Sequence, residues 1–174
     1  MKYLIGLLLL ISFNSLGDVE VGVGYDNVNV YVDYNDEVEY NLPMLTGSIA
    51  YVTDDNIGFK FKYGKGVGWG DDGVWSTEVE NLFSYTIFYR FNFEEVDVDV
   101  GLGKTDYTLK WRSGEWEPDW SPETDSDWSF HSSVKWEMYK GHYISFNYDN
   151  YYRKEEEGKR EYTNSIGVEY IYKF

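Results

Sequence analysis

The chain has 174 residues, no cysteine, and 31 acidic against 15 basic side chains, which gives a formal net charge of −16. A chain of this length suits a single domain, and the lack of cysteine excludes a disulfide framework and a thiol nucleophile. The negative charge argues against nucleic acid as a partner, because the phosphate backbone would repel the protein.

The first seventeen residues have the features of an export signal. Met1 and Lys2 give a basic start, residues 4–11 are almost wholly apolar, and Ser15 and Gly17 are small residues at the positions that a signal peptidase reads. The alternative is an uncleaved anchor, but the apolar run is shorter than the ~18 residues that a spanning helix needs. We therefore expect a signal peptide at 1–17, cleaved after Gly17, and a mature domain at 18–174.

Apolar and polar residues alternate through the mature chain with a period of two. This period predicts β-strands that have one apolar and one polar face. The alternation recurs in eight segments, at residues 19–25, 45–51, 57–63, 83–91, 96–102, 128–138, 144–148 and 166–174. A soluble sandwich or a lipocalin-like barrel would show the same pattern, so the alternation alone leaves the fold open.

The connections between these segments alternate in length. Those at 54–56, 92–95 and 139–142 are short enough for tight turns. Those at 26–43, 64–81, 103–127 and 153–161 are long. Short periplasmic turns and long external loops are typical of outer-membrane barrels. Val28, Val30, Val32 and Tyr34 also alternate, which predicts that the first hairpin extends above the membrane and offers a platform for strand addition.

The composition and the C-terminus favour the same fold. Aromatic residues make up 20% of the chain, as expected where side chains meet a membrane–water interface. Tyr170, Tyr172 and Phe174 share one face of the last segment. This ending resembles the signal that the barrel-assembly machinery reads, and the plan as a whole resembles the OmpX/Ail type and the OmpA membrane domain. The resemblance implies an all-β, eight-stranded antiparallel up-and-down transmembrane barrel in a bacterial outer membrane, in contact with lipid and lipopolysaccharide.

The polar face of the segments predicts a charged interior. An eight-stranded barrel is only wide enough inside for side chains, and a buried charge must be paired. Five cations and six anions share this face, so we expect an ion-pair network that plugs the lumen; a narrow conducting pore is the alternative. These residues are Glu20, Lys60, Lys62, Arg90, Asp97, Asp99, Lys135, Glu137, Asp149, Glu169 and Lys173.

The surplus negative charge falls in the long connections. The third connection carries Trp111, Trp116 and Trp120 among acidic residues. Exposed Trp within polar loops suits the binding of an extracellular protein or glycan. Simple solvation of an acidic rim is the plainer explanation. Two histidines are too few for a histidine-built metal site. The clustered loop carboxylates offer the oxygen ligands that Ca²⁺ takes, but their spacing matches no EF-hand, so no metal and no cofactor are expected.

One short motif raises the question of catalysis. His131 and Ser133 have the His-x-Ser spacing found in the outer-membrane lipid A deacylases, and Glu137 lies on the same face. However, the alternation turns these side chains inward, whereas such an enzyme must reach lipid on the outside of the wall. The leading hypothesis is therefore a non-enzymatic barrel with acidic, Trp-bearing loops that serve surface interaction or envelope integrity. A lipid A hydrolase and a narrow channel are the alternatives.

Overall fold

A computed structural model describes residues 17–33, 37–71, 75–113, 121–152 and 160–174. The predicted export signal lies outside these residues except for Gly17, which begins the first strand. Within the described ranges, no helix is both long and apolar enough to cross a membrane.

The described chain forms eight long antiparallel strands and one of two residues. Each long strand pairs with its neighbours in sequence, β1 pairs with β9, and β3 pairs with β5 across the short β4. The sheet is therefore closed, and the predicted all-β, eight-stranded up-and-down barrel is confirmed. The strands are β1 (Gly17–Asp33), β2 (Glu37–Thr53), β3 (Ile57–Gly66), β4 (Gly70–Asp71), β5 (Trp75–Asn92), β6 (Val96–Ser113), β7 (Ser121–Tyr139), β8 (His142–Tyr152) and β9 (Arg160–Lys173).

Three tight turns join strands at one end of the barrel, which we call the turn end. In the first, the Asn56 N–H donates to the Thr53 carbonyl at 2.9 Å, and Asn56 has a φ of 65°. In the second, the Phe93 N–H donates to the Val96 carbonyl at 2.9 Å. In the third, Gly141 has a φ of 78°, a conformation that glycine adopts at little cost. All three predicted turns are confirmed; the opposite end is called the loop end.

Paired residues are offset along the strands around the barrel. A path through hydrogen-bonded partners that leaves β8 at His142 returns to β8 at Tyr152, ten residues nearer the loop end. A closed sheet with such a stagger must have strands inclined to the barrel axis. The path runs through Tyr172, Val21, Ile49, Phe61, Tyr85, Lys104 and Trp128.

The predicted long connections are mostly wrong, because the strands continue through them. β1 runs to Asp33 and β2 begins at Glu37, so the predicted loop 26–43 is almost entirely strand. Likewise β6 continues to Ser113 and β7 resumes at Ser121. The predicted extension of the first hairpin is confirmed from Val28 to Val32, while Tyr34 lies outside the described residues.

The barrel has two sections that differ in which face is apolar. In the membrane section, large apolar side chains point outward and charged side chains point inward. In the outer section, nearer the loop end, the inward side chains form an apolar cluster. The membrane section comprises residues 18–25, 45–52, 57–64, 83–91, 97–104, 128–138, 143–149 and 166–172. The outer section comprises residues 26–33, 37–44, 65–71, 75–82, 105–113, 121–127, 150–152 and 160–165.

Candidate functional site: the charged lumen and the lipid-facing wall

A ring of four charges fills the lumen near the turn end. The Arg90 guanidinium donates to both oxygens of Asp99, at 2.7 and 3.0 Å, and to both oxygens of Glu20, at 2.5 and 3.0 Å. Lys135 Nζ lies 2.6 Å from Glu20 and 2.7 Å from Asp99. Both cations also lie 5.6 Å from the centre of the Phe88 ring. Paired bidentate contacts of this kind hold a guanidinium in one fixed orientation.

A second cluster lies around Glu169 on β9. Lys60 Nζ is 2.8 Å from the Glu169 carboxylate, and Ser48 also donates to it. The Asn147 amide donates to the same carboxylate at 3.3 Å. Four different strands therefore meet at this one anion, so that its charge is both neutralised and hydrogen-bonded.

A third cluster lies next to the apolar part of the lumen. Lys62 Nζ is 2.9 Å from Asp149 and also contacts Asp26, which accepts a 3.1 Å hydrogen bond from Ser165. The other oxygen of Asp149 is 2.5 Å from His131 Nδ1. This cluster joins β1, β3, β7, β8 and β9 across the barrel interior.

The apolar cluster of the outer section covers the charged clusters on the loop side. Leu42 and Met44 are fully buried at its centre. The interior of an eight-stranded barrel is only wide enough for packed side chains. From the turn end toward the loop end, the described lumen is therefore occupied first by charged pairs and then by apolar side chains. The buried members of the apolar cluster are Val28, Val30, Tyr40, Leu42, Met44, Val79, Leu82, Tyr107, Leu109 and Tyr151.

The structure places eight of the eleven predicted lumen charges inside the barrel in ion pairs. These are Glu20, Lys60, Lys62, Arg90, Asp99, Lys135, Asp149 and Glu169.

The other three lie toward the turn end. Asp97 is half-buried, 3.9 Å from Arg90. Glu137 is exposed and accepts the Gly141 N–H at 3.0 Å, because the chain is already turning there. Lys173 is only partly buried, and its Nζ lies 2.5 Å from Asp18.

The sequence prediction misses Asp26, which falls in the connection predicted at 26–43. Asp26 is fully buried and pairs with Lys62. The signal was present in the sequence, because Asp26 continues the inward phase of Glu20, Gly22 and Gly24 on β1. The prediction stopped one residue too early because the outward apolar residues end at Tyr25.

Apart from Lys104 and Ser132, the outward wall of the membrane section is apolar. Its most exposed apolar side chains are 37–70% exposed, with Trp128 at 70% and Leu102 at 66%. Soluble monomers rarely expose apolar patches of more than a few hundred Å². On β5 this band runs from Phe83 to Phe91, and a tilted strand crosses the hydrocarbon core with ~9–11 residues. The wall therefore has the composition and height of a lipid-facing surface.

No protein-family model and no curated protein sequence matches the chain. Solved structures do match. Ail, the attachment invasion locus protein of Yersinia pestis, superposes with a TM-score of 0.61 at 13% identity, over 91% of this chain and 99% of Ail. Neisserial surface protein A gives a TM-score of 0.61 at 12% identity, over 88% of this chain and 97% of the other. The chain has the fold of the small outer-membrane β-barrels.

A third match supports the same assignment. The N-terminal β-barrel domain of Pseudomonas aeruginosa OprF superposes with a TM-score of 0.54 at 16% identity, over 87% of this chain and 97% of the domain. At these identities the comparisons establish the fold of a small outer-membrane barrel. The chemistry must be argued from this chain's own residues.

The His-x-Ser motif lies inside this outer-membrane fold. His131 and Ser133 are each 2% exposed and face the lumen. Among the described residues, neither His131 Nε2 nor Ser133 Oγ has a hydrogen-bond partner, so the two are not bonded to each other. A serine nucleophile needs that bond to its base. Asp149, rather than the predicted Glu137, contacts the imidazole.

The predicted tryptophan site is only partly described. Trp111 lies in β6 rather than in a loop, and its ring packs edge-on to Tyr40 at 5.6 Å, against the apolar cluster. Trp111 therefore contributes to the outer section's core, which corrects the expectation of a loop side chain. Trp116 and Trp120 lie outside the described residues.

The C-terminal aromatics lie on the outward face at the turn end. Tyr170 and Tyr172 are 43% and 39% exposed, and Phe174 is 70% exposed. Phe174 packs edge-on to Tyr172 at 4.7 Å, and its N–H donates to the Val19 carbonyl at 2.9 Å. The last residue is therefore tied to β1, beside the β1–β9 pairing that helps to close the barrel.

Proposed function

We propose that the chain is a closed, non-enzymatic barrel of a bacterial outer membrane, which holds acidic loops above the lipid for surface interaction or envelope integrity. The filled lumen is the observation that carries this proposal. Three clusters of paired charges and an apolar cluster succeed one another along the axis, and each buried lysine or arginine among the described residues has an anionic partner. A barrel of this kind gains rigidity from its interior and offers its loops to partners.

Planar-bilayer recording tests whether the barrel is closed. We expect the purified mature protein to insert without discrete conductance steps, because its lumen holds packed side chains rather than a water column. Reproducible unitary steps would favour the narrow channel instead. Heat-modifiable gel mobility of the same sample would show that the inserted protein is folded.

The location is proposed together with its sorting signals. The signal peptide would be removed after Gly17, and the barrel-assembly machinery would read Tyr170, Tyr172 and Phe174. These aromatics are exposed on the outward face at the turn end. Fractionation of cells should place the heat-modifiable protein in the outer membrane, with Asp18 as its first residue. Deletion of Phe174 should lower its abundance there.

The proposed surface interaction rests on the sign of the charge. Ail has been crystallised with sucrose octasulfate, a heparin analogue. The net charge of −16 on this chain would repel such a sulfated ligand. We therefore expect a basic protein or an uncharged glycan as the partner. A binding assay should detect binding of the purified protein to a neutral glycan on an array or to a basic protein such as lysozyme. It should detect no binding to heparin at low salt.

The segment that would carry this interaction is 114–120, which lies between β6 and β7 in the sequence and contains Trp116 and Trp120. Deleting 114–120 should abolish the binding. Deleting 153–159, which lacks Trp, is the matched control and should preserve it. Equal binding by both deletions would remove the tryptophan-bearing loop from the proposal.

A further inference from the structure

Gly47 is the described glycine whose presence the packing does not require. At each of the other described glycines, an added Cβ would come within 3.1 Å of a neighbouring atom. At Gly47, the Cβ would meet only the Gly22 carbonyl oxygen, at 3.9 Å. Gly47 faces outward in the middle of β2, between Val23 and Tyr63 on the adjacent strands. Glycine inside a strand weakens it and often marks a place where a ligand or another backbone approaches closely.

A groove opens above Gly47 on the lipid-facing wall. Its volume is about 620 Å³, and the backbone of Gly22 and Gly47 lies at its floor. Two aromatic pairs line it on β3 and β5. Tyr63 packs on Phe83 with ring centres 4.9 Å apart, and Phe61 packs on Tyr85 at 6.2 Å. Because each ring rests on another, the rings do not close over the glycine.

The groove ends at a polar group at the loop-end edge of the apolar band. Asp106 lines this end and is paired with Phe83, the last outward aromatic of β5. The Tyr85 hydroxyl donates to the Asp106 carboxylate at 2.6 Å, and Ser126 donates to its other oxygen. The groove is therefore apolar in the middle of the band and acidic where the hydrocarbon ends.

We propose that this groove is a binding site for one acyl chain of a membrane lipid whose headgroup donates a hydrogen bond to Asp106. The groove is continuous with the lipid-facing wall, so that hydrocarbon is what surrounds it. The groove is apolar at Gly47 and acidic at Asp106. It therefore fits a lipid whose acyl chain lies over Gly47 and whose ammonium or hydroxyl group contacts the Asp106 carboxylate. Close packing supplies the affinity, since lipid already surrounds every apolar surface of the wall.

Native mass spectrometry tests this site. The mature protein, purified in detergent, is titrated with dimyristoyl phosphatidylethanolamine. We expect one lipid adduct on the unsubstituted protein and at least tenfold weaker binding to Gly47→Phe, whose ring would fill the groove. Val134→Phe is the matched control, because it adds a ring to the outward face of β7 on the opposite side of the barrel. This variant should bind as the unsubstituted protein does.

Three results would overturn the site: equal lipid binding by Gly47→Phe, no one-lipid adduct on the unsubstituted protein, or a dimer that Gly47→Phe converts to a monomer. The last would assign the groove to a second copy of the chain. If Gly47→Phe does not fold, NMR of the unsubstituted protein decides instead. Lipid should then shift the amide signals of Gly22 and Gly47 more than those of Ser132 and Val134. Neither result bears on whether the lumen is closed.

Discussion

The membrane section and the outer section are built from the same strands, yet their faces are exchanged. On β1 the outward side chains are Val21, Val23 and Tyr25 in the membrane section and Asn27 and Asn29 in the outer section. The inward ones are Glu20 in the membrane section, Asp26 at the first position of the outer section, and then Val28 and Val30. The exchange is complete within about four residues. The same period-two alternation therefore occurs in both sections. Apolar side chains face outward where lipid surrounds the barrel and inward where water surrounds it.

A row of asparagines marks the boundary on one side of the barrel. The Asn29 amide donates to Asn164 at 3.0 Å, and the Asn27 amide donates to Asn41 at 3.1 Å. Asn150 is paired with Asn164 on the adjacent strand. Amides turned outward within hydrocarbon would be costly, because lipid offers them no partners. The row therefore lies where water or lipid headgroups begin.

The largest expected effect is on the charged lumen of the membrane section. Arg90→Met leaves Glu20 and Asp99 buried with Lys135 as their remaining cation. Removing one partner from a buried ion pair costs about 3–5 kcal/mol of unfolding free energy. Urea unfolding in phospholipid vesicles would measure this loss.

The control for Arg90→Met is Lys104→Met, which removes an exposed cation from the outward face and should cost about 1 kcal/mol or less. If the two variants unfold at the same urea concentration, the lumen ring does not stabilise the barrel.

The apolar core of the outer section gives the next effect. Leu42→Ala removes a fully buried side chain and should cost about 2–5 kcal/mol, since the cavity cannot collapse freely. Leu45→Ala, three residues along β2 but 55% exposed to lipid, should cost much less.

Hydrogen exchange would locate the damage from Leu42→Ala. We expect faster exchange at residues 28–31 and 40–43, with residues 20–24 still protected. Equal loss of protection in both ranges would mean that the sections unfold as one unit and that the outer section has no core of its own.

A lysine scan along β1 would locate the boundary between the sections. Val23 lies near the middle of the outward band, where lysine facing lipid costs about 2–4 kcal/mol; near the interface the cost falls to about 0–1 kcal/mol. Val23→Lys should therefore destabilise the barrel far more than Asn29→Lys does, in the same urea assay. Similar losses at both positions would mean that the band extends beyond Tyr25.

The sequence predicts the membrane section better than the outer section. The alternation of large apolar with charged residues identifies the eight strands, the turns and most of the lumen charges. In the outer section, Val28, Val30, Leu42 and Leu109 carry the same signal, but the residues between them are polar or acidic, so the sequence predicts loops for most of these segments. It predicts a continued strand only for the first hairpin. The ion-pair partners were beyond prediction, because they depend on the stagger between strands, which alternation does not encode.

The smallest effect is expected at Ser133, within the lumen of the membrane section. Its hydroxyl is buried and, among the described residues, has no hydrogen-bond partner, so Ser133→Ala removes no bond. The unfolding free energy should stay within about 1 kcal/mol of the unsubstituted value, because burying an unpartnered hydroxyl gives no stability. The lipid A acylation pattern of cells that carry the variant should also stay unchanged, because the side chain faces the filled lumen rather than lipid. A changed acylation pattern at unchanged stability would restore the hydrolase, and it would require the lumen of the membrane section to open.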